Sequence, residues 1–134
     1  MKIDGICHCG AITYEAEVDP EKVEICHCTD CQTLSGGTFR TVVPSEKDSF
    51  RILSGRPKIY VKTAEAGHRR EQAFCGNCGT PIYSTAAGDG PKIYGLRVGS
   101  IRQRSRLAPK TQYWTRSAQS WVATIDSLPK VEKQ

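Results

Sequence analysis

No apolar run in this 134-residue chain approaches the roughly 20 residues that a membrane-spanning helix needs, which argues against a spanning segment. The opening Met1-Lys2-Ile3-Asp4-Gly5 lacks the apolar stretch of a secretory signal, so the expected location is the cytoplasm. In that compartment disulfides do not persist. Helical periodicity is missing as well: no stretch keeps an apolar stripe over three turns, and an all-helical fold is excluded. Acidic residues are absent from Pro91 to Ile125, where Lys92, Arg97, Arg102, Arg104, Arg106, Lys110 and Arg116 fall. What the chain has in excess is cysteine, seven in all.

Hydrophobic residues at 38% and charged residues at 25% describe a soluble globular protein, and the length suits a single domain over residues 1–134. Its expected core runs roughly from residue 3 to residue 125, with Leu128–Gln134 as a loose tail. The formal charge of +5 falls to +2 if all seven thiols are thiolates on two zinc ions. Nucleic acid is therefore a poor candidate partner. The basic run reads as a solvated face or as a site for a small anionic substrate.

Apolar and polar residues alternate from Ile12 to Val18, the pattern of a half-buried strand, which Asp19-Pro20 ends. Further strands are predicted at Thr38–Val43, Phe50–Leu53, Lys58–Lys62 and Arg69–Phe74. Shorter ones are predicted at Ile82-Tyr83, Ile93–Val98, Tyr113–Thr115 and Trp121–Ile125. Ser45 with Asp48 suits the first turn of a small helix, Thr63–His68 a hairpin loop, and Gly88-Asp89-Gly90-Pro91 a turn. Gln32 to Gly37 reads as a flexible loop able to lay backbone N–H groups beside a ligand. The fold class is mainly β, built of short strands.

The cysteines fall as Cys7/Cys9, Cys26/Cys28/Cys31 and Cys75/Cys78. In a reducing cell such clusters read as metal ligands. A structural zinc takes four protein ligands and a reactive one takes three, leaving a position open. Seven thiols therefore divide as four plus three. In extended C-x-C backbone both sulfurs share a side, so His8 and His27 turn away and are not expected as ligands. His68 sits in a polar loop. Two partitions remain open on spacing. Cys28/Cys31 with Cys75/Cys78 would make a zinc ribbon and leave Cys7, Cys9 and Cys26 idle. Alternatively, Cys7, Cys9, Cys75 and Cys78 close one site while Cys26, Cys28 and Cys31 make an open one. A C-x-x-C redox motif normally sits at a helix N-terminus in an α/β setting, which this sequence does not suggest.

The early C-x-C-G, the run Cys26-His27-Cys28-x-x-Cys31-Gln32 with Ser35-Gly36-Gly37, the run Phe74 to Thr80 and a late tryptophan (Trp114 or Trp121) resemble the glutathione-dependent formaldehyde-activating enzyme family. One branch of that family resembles centromere protein V. The resemblance covers roughly residues 3–125. It implies a β-tent of short antiparallel sheets, a structural zinc on Cys7, Cys9, Cys75 and Cys78, and a catalytic zinc on Cys26, Cys28 and Cys31. It implies a carbon–sulfur lyase acting on a thiol adduct, forming S-hydroxymethylglutathione from formaldehyde and glutathione. A three-thiolate zinc carries a net charge of −1 and suits a soft fourth ligand, a substrate thiolate. Arginines of the stretch Arg97–Arg116 are expected to hold the carboxylates of glutathione. The competing readings are a zinc-stabilised protein- or nucleic-acid-binding module without catalysis, and a metal-handling or redox-sensing protein.

Overall fold

The computed structural model describes residues 1–134, and the chain is mainly β. Ten strands form two sheets. The smaller has the order β1 (Lys2–Ile6), β2 (Thr13–Glu17), β5 (Arg51–Ser54). The larger runs from β10 (Thr111–Tyr113) through β3 (Glu24–Cys26), β4 (Arg40–Pro44), β9 (Gly95–Arg97), β8 (Pro81–Ala86) and β7 (Arg69–Phe74) to β6 (Lys58–Thr63). Neighbours are antiparallel except β10, which lies parallel to β3.

The core lies between the sheets. Alternation in β2 sends Tyr14 and Ala16 inward, where they join Ile3, Ile12, Val18, Val43, Ile82, Leu96 and Ile101. Tyr14 is fully buried and shares a 2.7 Å hydrogen bond with the Ser100 hydroxyl. Its ring lies over Gly5, its cross-strand partner, where a Cβ would collide with the phenol. This close approach explains a glycine inside a strand.

Register decides what the large sheet offers on its other face. Directly opposed residues point to the same side, and the chain pairs Cys26 with Arg40, Glu24 with Val42, Val42 with Arg97, Pro44 with Gly95, Gly95 with Ser84, and Ser84 with Gln72. Val43, Leu96, Tyr83 and Ala73 take the alternate positions and face the core. One face of the sheet is therefore core, and the other carries thiol, guanidinium and amide groups.

Several local expectations give way. Gln32 to Gly37 is not a flexible loop throughout: Gln32–Ser35 belongs to a helix, α1 (Thr29–Ser35), that starts inside Cys28-Thr29-Asp30-Cys31. Two turns are too short to show a periodic stripe, and the N-cap is a cysteine, whose sulfur accepts the Cys31 N–H at 3.3 Å. Gly36 ends the helix at φ +68°, a left-handed conformation that favours glycine. Trp121–Ile125 lies in 3-10 turns from Ser120 to Ser127, not a strand. Ser45–Asp48 forms a turn and not a helix. The strand expected at Ile93–Val98 shortens to β9 and passes into a 3-10 turn at Val98–Ser100. The strand expected at Tyr113–Thr115 ends at Tyr113. Lys2–Ile6, which carried no strand expectation, pairs with β2 along its whole length.

Candidate active site

Cys7 and Cys9 occupy the loop joining β1 to β2, and Cys75 and Cys78 the loop joining β7 to β8. Each loop is fastened across its base. The Cys7 N–H donates to the Ile12 carbonyl at 3.0 Å, and the Cys75 N–H to the Thr80 carbonyl at 2.9 Å. The first loop is a turn and not extended backbone, since Gly10 donates to the Cys7 carbonyl at 3.0 Å. The loops also hold one another, with the His8 N–H donating to the Thr80 hydroxyl at 3.0 Å.

Together the two loops bring four sulfurs to within 4.8 Å of one another, with Cys7–Cys9 at 3.5 Å and Cys9–Cys75 at 3.7 Å. A tetrahedral ion bound at about 2.3 Å holds its sulfurs about 3.8 Å apart. The cluster fits a metal ion. Cys78 is pulled down to about 5 by the Thr80 hydroxyl and nearby backbone N–H groups, which favours a thiolate donor.

Cys26, Cys28 and Cys31 form a second group with sulfurs within the same 4.8 Å limit. Cys26 ends β3, Cys28 caps α1 and Cys31 lies in its first turn. The ribbon partition is not formed: Cys28 and Cys31 converge with Cys26 and not with Cys75 and Cys78. Neither His8 nor His27 joins a cluster. His8 is exposed, while the buried His27 ring bonds the Gln112 amide oxygen at 2.8 Å and meets Phe39 edge-on. Gln32 fixes the group from outside, donating to the His27 carbonyl at 2.8 Å and the Ser117 carbonyl at 3.0 Å.

Within the trio, hydrogen bonding to Cys31 pulls Cys26 down to about 5, while the Cys26 thiolate and burial push Cys31 up. Three adjacent thiols cannot all ionise unaided. A cation among them removes that conflict.

The trio lines a cavity of about 510 Å³, and none of the other four cysteines does. The cavity lies over the polar face of the large sheet, between β3, β4, β9, β8, β7 and β6. Arg40, Arg70, Arg97, Lys62, Gln72 and Trp114 contribute to its wall. Trp114 adopts the left-handed region at φ +57°, costly for a bulky side chain and characteristic of functional sites. Arg116 stacks over its indole at 4.8 Å. Of the two tryptophans, Trp114 is at the cavity and Trp121 is not.

Of the basic stretch, Arg97 reaches the cavity. Arg102, Lys110 and Arg116 pair at the surface with Asp4, Glu21 and Glu65. Sequence reasoning passed over Arg40, a lone charge at the start of β4, and Arg70 and Gln72, which lie in the polar run Arg69–Gln72 of β7. The available signal was parity: Arg40 shares its face with Val42 and, across the strand, with Cys26.

A mainly β domain with two sulfur clusters able to hold metal ions defines the class. Residues 2–117 match the glutathione-dependent formaldehyde-activating enzyme family, and the chain belongs to it. A Schizosaccharomyces pombe protein named an uncharacterised lyase is 31% identical over 80 residues, which are 60% of this chain and 55% of that protein. The matched stretch thus spans about half the length of that relative. A solved Rhodobacter sphaeroides structural-genomics protein is similar in fold, with a TM-score of 0.61 at 18% identity, covering 81% of this chain and 98% of that one.

Proposed function

We propose that the protein is a zinc-dependent carbon–sulfur lyase that joins a small thiol such as glutathione to formaldehyde, or releases it. Family membership supports the class of reaction. The observation that carries the reading to this site is the asymmetry of the clusters: three sulfurs open on a cavity and four do not. Cys7, Cys9, Cys75 and Cys78 would hold a structural zinc, and Cys26, Cys28 and Cys31 a catalytic one. The soft, all-sulfur donor sets suit zinc. Zinc at the trio supplies a mild Lewis acid that keeps a substrate thiol in its thiolate form at neutral pH.

The chain's own residues do the rest. Cys26, Cys28 and Cys31 come from one short segment and line the cavity, so they would hold the ion with the cavity beside it for substrate. Arg40, Arg70 and Arg97 give the cavity a positive potential that draws an anionic thiol in. Trp114 walls the site beside the trio. In the forward direction the substrate sulfur forms a bond to the formaldehyde carbon. The carbonyl π pair moves to oxygen, and that oxygen takes a proton from water in the open cavity. The reverse reaction returns thiol and formaldehyde. Seven free cysteines and this chemistry fit a reducing compartment such as the cytoplasm.

The test is cobalt(II) substitution. Glutathione should strengthen the sulfur-to-metal charge-transfer band, and S-methylglutathione should leave it unchanged. A spectrum indifferent to glutathione, cysteine and other small thiols would sink the lyase reading and favour a binding module.

A further inference from the structure

Arg40 and Arg97 are each 7% exposed, yet neither has a carboxylate partner in ion-pair range. Both donate instead to one neutral atom, the Gln72 amide oxygen, at 3.1 Å and 2.9 Å. The Arg40 Nε is buried with no hydrogen-bond partner. Burial, with Arg40 close by, lowers Arg97 to about 9. Buried charges are ordinarily paired, because an unpaired one loses its hydration with nothing to replace it. Two guanidinium groups share a single amide oxygen and no carboxylate, and the nearby sulfurs of Cys26 and Cys31 offset only part of their charge. Glu24, the only carboxyl among the lining residues of the cavity, is out of ion-pair range of both. The lysine of the wall, Lys62, is already held by Asp30 at 2.8 Å.

We propose that Arg40, Gln72 and Arg97 form a carboxylate anchor in the cavity wall, which selects thiols carrying a carboxylate close to the sulfur. Arg40 stands directly across β3/β4 from Cys26, and opposed residues on neighbouring strands are about 5 Å apart at Cα. The anchor is thus within a side chain's reach of the sulfur trio. Guanidinium forks match the planar carboxylate. Charge balance gives the valence, and this step rests on the zinc reading: Arg40, Arg70 and Arg97, set against Glu24 and a centre of net charge −1, leave room for one further negative charge. A mercaptocarboxylate meets both demands, and a simple neutral thiol meets only one.

The experiment uses the full zinc-loaded chain and isothermal titration calorimetry with 3-mercaptopropionate, its methyl ester, and propionate. The acid should bind about 10- to 100-fold more tightly than the ester. Arg97→Met should bring that ratio close to one. Because an arginine variant can misfold, Gln72→Glu provides a second route. It places a carboxylate between the guanidinium groups, so the protein should melt higher and the ratio should again collapse. Propionate alone should raise the melting temperature of the wild type and not that of Gln72→Glu. Equal affinity for acid and ester in the wild type overturns the anchor while leaving the thiol chemistry standing, and so does a ratio that survives in both variants. Propionate protection that is lost in Gln72→Glu, with no thiol bound at all, keeps the anchor and removes the thiol reading. Silence from all three probes removes both.

Discussion

At the scale of single residues, Tyr14 shows how burial writes a pH dependence into the fold. Desolvation pushes its phenol up to about 12 from an ordinary value of 10.0, against the opposing hydrogen bond from Ser100. The folded chain therefore holds this proton more tightly than the unfolded chain. Its contribution is intact below pH 10 and is lost as pH rises from 10 through 12, by an amount on the order of 3 kcal/mol. Urea midpoints measured from pH 8 to 11.5 should fall more steeply for the wild type than for Tyr14→Phe across that window. Equal slopes would show that the phenol is not the group responsible. Tyr14 was legible in the sequence, since its strand alternates cleanly between core and solvent. Arg40 and Gln72 were not, because a charged or amide side chain inside a strand is ordinarily on a solvated face. Here the second face of the sheet is neither core nor open water but a cavity wall.

Among elements, two hairpin loops and one strand-to-helix junction divide the cysteines. The four-sulfur cluster joins loops from different sheets, β1–β2 from the small one and β7–β8 from the large one. Breaking it should separate them. Cys78→Ser is expected to lose soluble protein or to melt far below the wild type, because a metal closing so long a loop contributes directly to folding. Cys31→Ser should remain folded, with thiol binding gone. The reverse outcome, measured by thermal melting and by metal content after gel filtration, would assign the folding role to the trio. The spacing of the cysteines showed which groups exist, and the resemblance showed how they divide. It did not show that Cys28 caps a helix. A sulfur cap is not among the usual N-cap side chains, and α1 is too short to declare itself by periodicity. Trp121–Ile125 misled in the other direction, since β-branched and aromatic residues there end in 3-10 turns.

For the molecule as a whole, the segment from Thr111 to Gln119 is anchored by the residues that flank the trio, His27 and Gln32, whereas the chain from Gly95 to Leu107 is held by the large sheet and the core. The His27 N–H donates to the Tyr113 carbonyl at 3.0 Å, Gln112 holds the His27 ring, and Gln119 donates to the Gln32 amide oxygen at 3.0 Å. Beyond Ser127 the chain is exposed, and its one side-chain link is Lys130 to Asp126. A protein ending at Ser127 should melt within about a degree of the full chain and keep its metal content, as thermal scans and metal analysis would show. One ending at Pro109 should lose the trio's metal while keeping that of the four-sulfur cluster.

The parallel pairing of β10 with β3 has a consequence in time. Chains emerge from the ribosome N-terminus first, at about 5–20 residues per second. All cysteines of the four-sulfur cluster are made by Cys78, whereas the strand that covers the trio, and Trp114 with it, come late. A nascent chain can therefore bring the four sulfurs together while the trio still lies uncovered. The cavity wall beside the trio is thus the last part of the site to come into being.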